Sequence, residues 1–303
     1  MARRSGGVRR RGYTVSGFLS GMQVVSLAPN LPGPVAANRL QELGAEVTKI
    51  EPPAGDLLAV ACPPYYEQLA AGQHVLTLDL RSDEGRSELD RLLTEADLLL
   101  TSSRITALGR LGVKWDSLHA KHPKLSWIAI LGHSGEAADV PGHDLTYQSV
   151  AGLVSPPDMP TTLLADLAGG ERAAGIGAAA MLAAARAGEG VFSQVAIADV
   201  AADFATPLTF GVTRADGPLG GGAPQYGLHE AAEGWVAVAA LEPQFWQRMC
   251  ALLDLDPSGS ELTARIRERT ADHWEAWGRE HDLPVVAVRG QQNVRDVRVP
   301  EEV

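Results

Sequence analysis

Three short segments hold residue types that could do chemistry. P-G-H-D at 141–144 puts His143 in a turn, and L-L-A-D-L-A-G-G at 163–170 puts Asp166 ahead of a run of small residues. L-E-P-Q-F at 241–245 puts Glu242 directly before a proline. An imidazole and a carboxyl with tuned proton affinities form a general acid–base pair. Each residue also has a plainer reading. His143 would serve as a hydrogen-bonded turn histidine, Asp166 as a helix N-cap, and Glu242 as a charge complementing a helix dipole. Gly169 and Gly170 add something that a cap does not need. A first helical turn without side chains lets a ligand approach free N–H groups, which could stabilise an oxyanion.

The elements that must position these residues are legible as an alternation of strands and helices. M-Q-V-V-S-L-A-P from Met22 reads as a buried strand, followed by a Pro32-Gly33-Pro34 turn and a helix over 35–43. Val47 to Ile50 is a second strand, ended by Pro52-Pro53, so the opening is a β-α-β unit with a right-handed crossover. The pattern repeats with strands at 74–80, 97–101 and 125–131, and with helices at 83–96, 105–111 and 115–119. This predicts an α/β fold with a Rossmann-like parallel sheet. The dinucleotide fingerprint G-x-G-x-x-G is absent after the first strand. His143 then follows a sheet strand, on the side where open α/β sheets bind ligands.

Beyond the sheet, 168–187 reads as a helix of small residues, with Gly175 and Gly177 allowing close backbone approach. A strand-like start at 191 runs into a helix over 198–205. The Gly-rich stretch 214–224 is the expected linker, dividing a large domain over 21–213 from a smaller α+β domain over 225–303. In the latter, 226–241 reads as a hairpin turning near Glu233-Gly234. Helices follow at 243–253 and 274–281, with a last strand at 283–288. Residues 1–20 open on a basic, Gly-rich stretch and read as a disordered tail.

The chain has 303 residues, 45% of them hydrophobic, enough for a sizeable core. Its net charge of −11 argues against nucleic acid and anionic membranes as partners. No apolar run reaches the roughly 20 residues that span a bilayer. Cys62 and Cys250 stand in no metal spacing, so two reduced thiols, a cytoplasmic location and no metal site are expected.

The order G-H-D-x-x-Y, L-L-A-D-x-A-G-G, E-P-Q-F, with the opening strand, the P-G-P turn and G-A-E-V-T-K-I-E-P-P, resembles the family III CoA-transferases (the CaiB/BaiF family). Within that family it is most similar to the α-methylacyl-CoA racemases. The resemblance implies that His143 and Asp166 are the two acid–base groups. It also implies that Glu242 hydrogen-bonds the histidine and favours its charged form. In the transferases of the family the position of Asp166 carries an aspartate nucleophile that forms an anhydride. The resemblance further implies an interlocked homodimer, an acyl-CoA or other acyl thioester as substrate, and no cofactor beyond CoA itself. Tyr147 belongs to the G-H-D-x-x-Y motif. Thr162 stands where the racemases usually have Asn, and Gln73 and Ala129 replace residues that are commonly basic. Lys49 and Arg104 remain as expected phosphate contacts. Three readings follow: a 2-methylacyl-CoA epimerase, a CoA-transferase with Asp166 as nucleophile, or a tailoring enzyme reusing the pair on a non-CoA substrate.

Overall fold

The computed structural model describes residues 17–290. The expected disordered tail therefore lies mostly outside the described residues. Gly17 to Gly21 form a turn, in which the Leu19 N–H donates to the Leu43 carbonyl at 2.9 Å. Two compact units divide at Ala205/Thr206, ahead of the expected linker. The stretch 214–224 is not an open linker. It is folded by tight turns, with the Gly217 N–H on the Arg214 carbonyl at 2.7 Å and the Leu219 N–H on the Val212 carbonyl at 2.9 Å.

In the first unit, β1 (Gln23–Leu27) leads into α1 (Pro32–Glu42), which begins with a proline where a missing N–H costs nothing. Then come β2 (Glu46–Glu51), α2 (Leu57–Ala61), α3 (Pro63–Ala70), β3 (His74–Thr77), α4 (Asp83–Glu95) and β4 (Leu98–Thr101). They are followed by α5 (Ile105–Arg110), α6 (Trp115–Lys121), β5 (Ser126–Leu131), α7 (Asp144–Val150), α8 (Leu164–Ala187), β6 (Phe192–Ala196) and α9 (Ile197–Phe204). The strands form one parallel sheet in the order β3-β2-β1-β4-β5-β6. β4 and β5 are buried along their whole length, as expected of strands covered on both faces.

α8 packs on α1 and on the sheet through its small residues. A Cβ on Gly170 would stand 2.7 Å from the Pro32 carbonyl oxygen and 2.8 Å from Val35, and one on Gly177 would stand 2.9 Å from Leu98. Gly175 departs from expectation: it is exposed, and a Cβ there would meet nothing within 4 Å. Helices α2, α3 and α7 have no counterpart in the sequence reading. They are short and flank prolines or turns, so periodicity does not reveal them.

Lys49 corrects an expectation. It is 2% exposed and donates to Glu51 at 2.5 Å and to Asp56 at 2.7 Å. The Tyr66 hydroxyl donates to Glu51 at 2.6 Å, and its ring lies 4.4 Å from the ammonium. Burial, then the Glu51 bond, push the Tyr66 hydroxyl up. Asp56 also accepts the Leu58 N–H at 2.9 Å, starting α2. Lys49 is consumed by a buried ion cluster because two carboxylates withdrawn from water require a cation. It anchors the loop after β2, and it is not among the residues of the cavity described below.

In the second unit, α10 (Thr206–Thr209) precedes an antiparallel sheet of β7 (Tyr226–Glu230), β8 (Trp235–Ala239) and β9 (Val285–Ala287). β7 and β8 form the expected hairpin. Helices α11 (Pro243–Leu253), α12 (Leu262–Ile266) and α13 (Ala271–Glu280) complete the unit. Its core includes Val236, Val238, Met249, Leu262, Ile266 and Trp274.

Candidate active site

His143 is the N-cap of α7, in extended backbone at φ −140°. The Thr146 hydroxyl accepts its N–H at 3.1 Å, and its carbonyl accepts the Thr146 N–H at 2.8 Å. The local sequence thus supplies the cap, and the imidazole lies on the exposed side of the turn. Gly142 and Gly132 make room behind it. A Cβ on either would fall within 2.5 Å of the Tyr147 ring or hydroxyl, so the tyrosine fits only against bare backbone. Tyr147 is buried, edge-on to His133, and burial followed by the charge of Asp166 pushes its hydroxyl up.

Asp166 is not the cap of the small-residue helix. α8 starts at Leu164, so Asp166 lies inside its first turn. Its N–H donates to Asp144 Oδ1 at 3.0 Å. Gly169 and Gly170 therefore fall beyond the first turn, where the helix itself takes up their N–H groups. Their bare faces are filled by Ile197, Pro32 and Val35, so they serve helix packing, and the expected ligand approach at these glycines is corrected. Burial, then the charge of Asp144, raise the Asp166 carboxyl to about 6, while His143 acts in the opposite direction.

Asp166, His143, Tyr147 and Arg104 line one cavity of about 430 Å³. Asn30 after β1, Ser102 and Ser103 after β4, and Leu131 and Gly132 at the end of β5 complete its floor. This is the carboxyl side of the sheet, at β1 and β4, where the strand order reverses; open α/β sheets bind ligands in that crevice. Arg104, the N-cap of α5, is exposed and brings a positive charge to the mouth. Thr162 is exposed outside the cavity lining, with its carbonyl accepting from Gln148 at 3.1 Å. Glu242 belongs to the second unit, where it is exposed at the N-cap of α11.

Sequence reasoning does not single out Asp144, Gln148, Gly132 or Gly142. Asp144 is part of G-H-D, yet a single sequence gives no sign that its carboxylate turns back toward Asp166. Among the described residues no group of three His, Cys, Asp or Glu side chains could hold a metal ion. No described helix is long and apolar enough to cross a membrane.

Comparison with known proteins agrees with this architecture. The chain is 30% identical over 255 residues to human alpha-methylacyl-CoA racemase, covering 78% of this chain and 65% of that protein. It is 36% identical over 151 residues to cinnamoyl-CoA:phenyllactate CoA-transferase of Clostridium sporogenes, covering 46% and 37%. It thus spans about two thirds or less of the length of these relatives. Among solved structures, the hypothetical protein Rv3272 of Mycobacterium tuberculosis superposes with a TM-score of 0.81 at 25% identity, over 93% of this chain and 88% of that one. A CAIB/BAIF family protein from Brucella suis superposes with a TM-score of 0.75 at 25% identity, over 92% and 85%. The sequence model of CoA-transferase family III matches residues 19–300, and the chain belongs to that family.

Proposed function

We propose that this protein moves a proton at the carbon next to an acyl thioester carbonyl, inverting that centre, with an acyl-CoA as the substrate class. The observation that carries the reading is the pairing of His143 with a carboxyl raised to about 6 on one cavity. A 1,1-proton transfer needs one group to take the α-proton from one face and another to return a proton to the opposite face. A carboxyl that holds or releases its proton near neutrality suits either role, and such catalysis is worth roughly 10²–10⁴ in rate. Removal of the proton leaves an enolate, whose oxygen needs donors. Arg104 is the proposed partner of a CoA phosphate, and Tyr147 forms a wall of the acyl site. Glu242 of a partner chain in a homodimer is proposed to hold His143.

Incubation with a 2-methylacyl-CoA in deuterium oxide tests this. The expected result is deuterium at the α-carbon and loss of stereochemical purity. Retention of the α-hydrogen would overturn the reading.

A second reading is favoured by the similarity to a CoA-transferase and by the position of the Asp166 carboxyl on the cavity wall. There the Asp166 oxygen attacks the thioester carbonyl, CoA leaves as the thiolate, and an acyl anhydride forms. CoA transfer to a free acid, which gives the new thioester and releases the first acid, with an Asp166 hydroxamate trapped by hydroxylamine and no α-exchange, would select it.

A further inference from the structure

Asp144 takes no part in the proton transfer proposed above, yet the fold buries it to 4% exposure beside His143. Its Oδ1 accepts the Asp166 N–H at 3.0 Å, and its Oδ2 accepts Gln148 Nε2 at 2.6 Å. Gln148, 3% exposed, also donates to the Thr162 carbonyl at 3.1 Å. The network ties α7, the chain before α8 and the first turn of α8 to one another. A first-turn N–H needs an acceptor, but a neutral amide or hydroxyl would satisfy it. Burying a carboxylate there costs desolvation that a neutral acceptor avoids. What the carboxylate adds is a negative charge next to Asp166.

We propose that Asp144 is a positioning residue: it clamps the turn that carries Asp166 and sets a buried negative charge beside that carboxyl. This rests on reading Asp166 as the proton-transferring carboxyl. The groups acting on Asp166 are Asp144 and His143 at the start of α7 and Tyr147 one turn on, and Arg104 from the start of α5 lines the same cavity. After burial, the charge of Asp144 is the larger influence raising the Asp166 carboxyl, and His143 opposes it. Geometry and electrostatics thus give Asp144 one and the same target.

Carbon-13 NMR of the full chain labelled at its aspartate carboxyls reads this directly. The Asp166 resonance is assigned by its loss in Asp166→Asn. It is expected to titrate at about pH 6 in the parent protein. In Asp144→Asn the midpoint is expected to shift downward, because the acceptor oxygen stays and the charge goes. Should Asp144→Asn not fold, Asp144→Ser gives the same comparison with a hydroxyl acceptor. Gln148→Met, which keeps the charge and loosens the clamp, is expected to leave the midpoint in place and lower kcat for α-exchange. A midpoint unmoved by loss of the Asp144 charge overturns the proposal. Because the titration needs no substrate, absence of α-exchange in the parent protein would sink the proton-transfer reading while the midpoint still decides the role of Asp144.

Discussion

The backbone N–H of Asp166 donates to the carboxylate of Asp144 across 3.0 Å, so the starts of α7 and α8, which carry the candidate acid–base pair, are joined by a direct bond. His143 and Asp144 are neighbours in the chain, and therefore the same short segment presents an imidazole to the cavity and holds the opposing carboxyl in place.

Removing either member of the pair is expected to abolish α-exchange. His143→Ala and Asp166→Ala should each lower kcat by at least roughly 10²-fold with the fold intact, and Glu242→Ala should reduce it less. Exchange kinetics in deuterium oxide, with circular dichroism as the fold control, check this. Full activity in Asp166→Ala would defeat the assignment.

The stability of the protein should carry the imprint of the raised Asp166 carboxyl. Its folded pKa of about 6 lies above the ordinary 3.8. Between those values the folded chain keeps a proton that the unfolded chain has released, so ionisation opposes folding as pH rises through the window. Asp166→Asn should therefore be more stable than the parent at pH 8, on the order of 1–2 kcal/mol after solvent screening, and equal to it near pH 4. Urea titrations at the two pH values measure the difference. A gain that is larger at pH 4 would contradict the sign.

Lys49→Met should destabilise the first unit strongly, by about 3–5 kcal/mol. It leaves Glu51 and Asp56 facing each other in the interior without their shared cation. Chemical denaturation reads the loss. A neutral result would make Lys49 a residue free to bind a ligand after all.

Two glycines of α8 should respond in opposite directions. Gly170→Ala forces a methyl into the Pro32 carbonyl and Val35, and should cost about 1–3 kcal/mol. Gly175→Ala meets open space and should stabilise by about 0.5–1 kcal/mol through helix propensity. Thermal melts of the two variants separate close packing from mere tolerance of small residues.

By itself the sequence determined the alternation of strands and helices, because burial on both faces of a parallel sheet writes continuous apolar runs such as Leu98–Thr101 and Ser126–Leu131 into the chain. It also determined α11, whose N1 proline and start are purely local, and it singled out His143 and Asp166 by their motifs. Tertiary structure alone decided what depends on distant partners. Lys49 looked available until Glu51, Asp56 and Tyr66 closed around it. Gly169 and Gly170 looked like an opening for a ligand until α1 and α9 occupied their faces. Asp144 acquired its role only when α7 came to rest against the start of α8. Periodicity records which face of an element is buried, whereas the partner that buries it comes from residues far along the chain, and that pairing leaves no local trace.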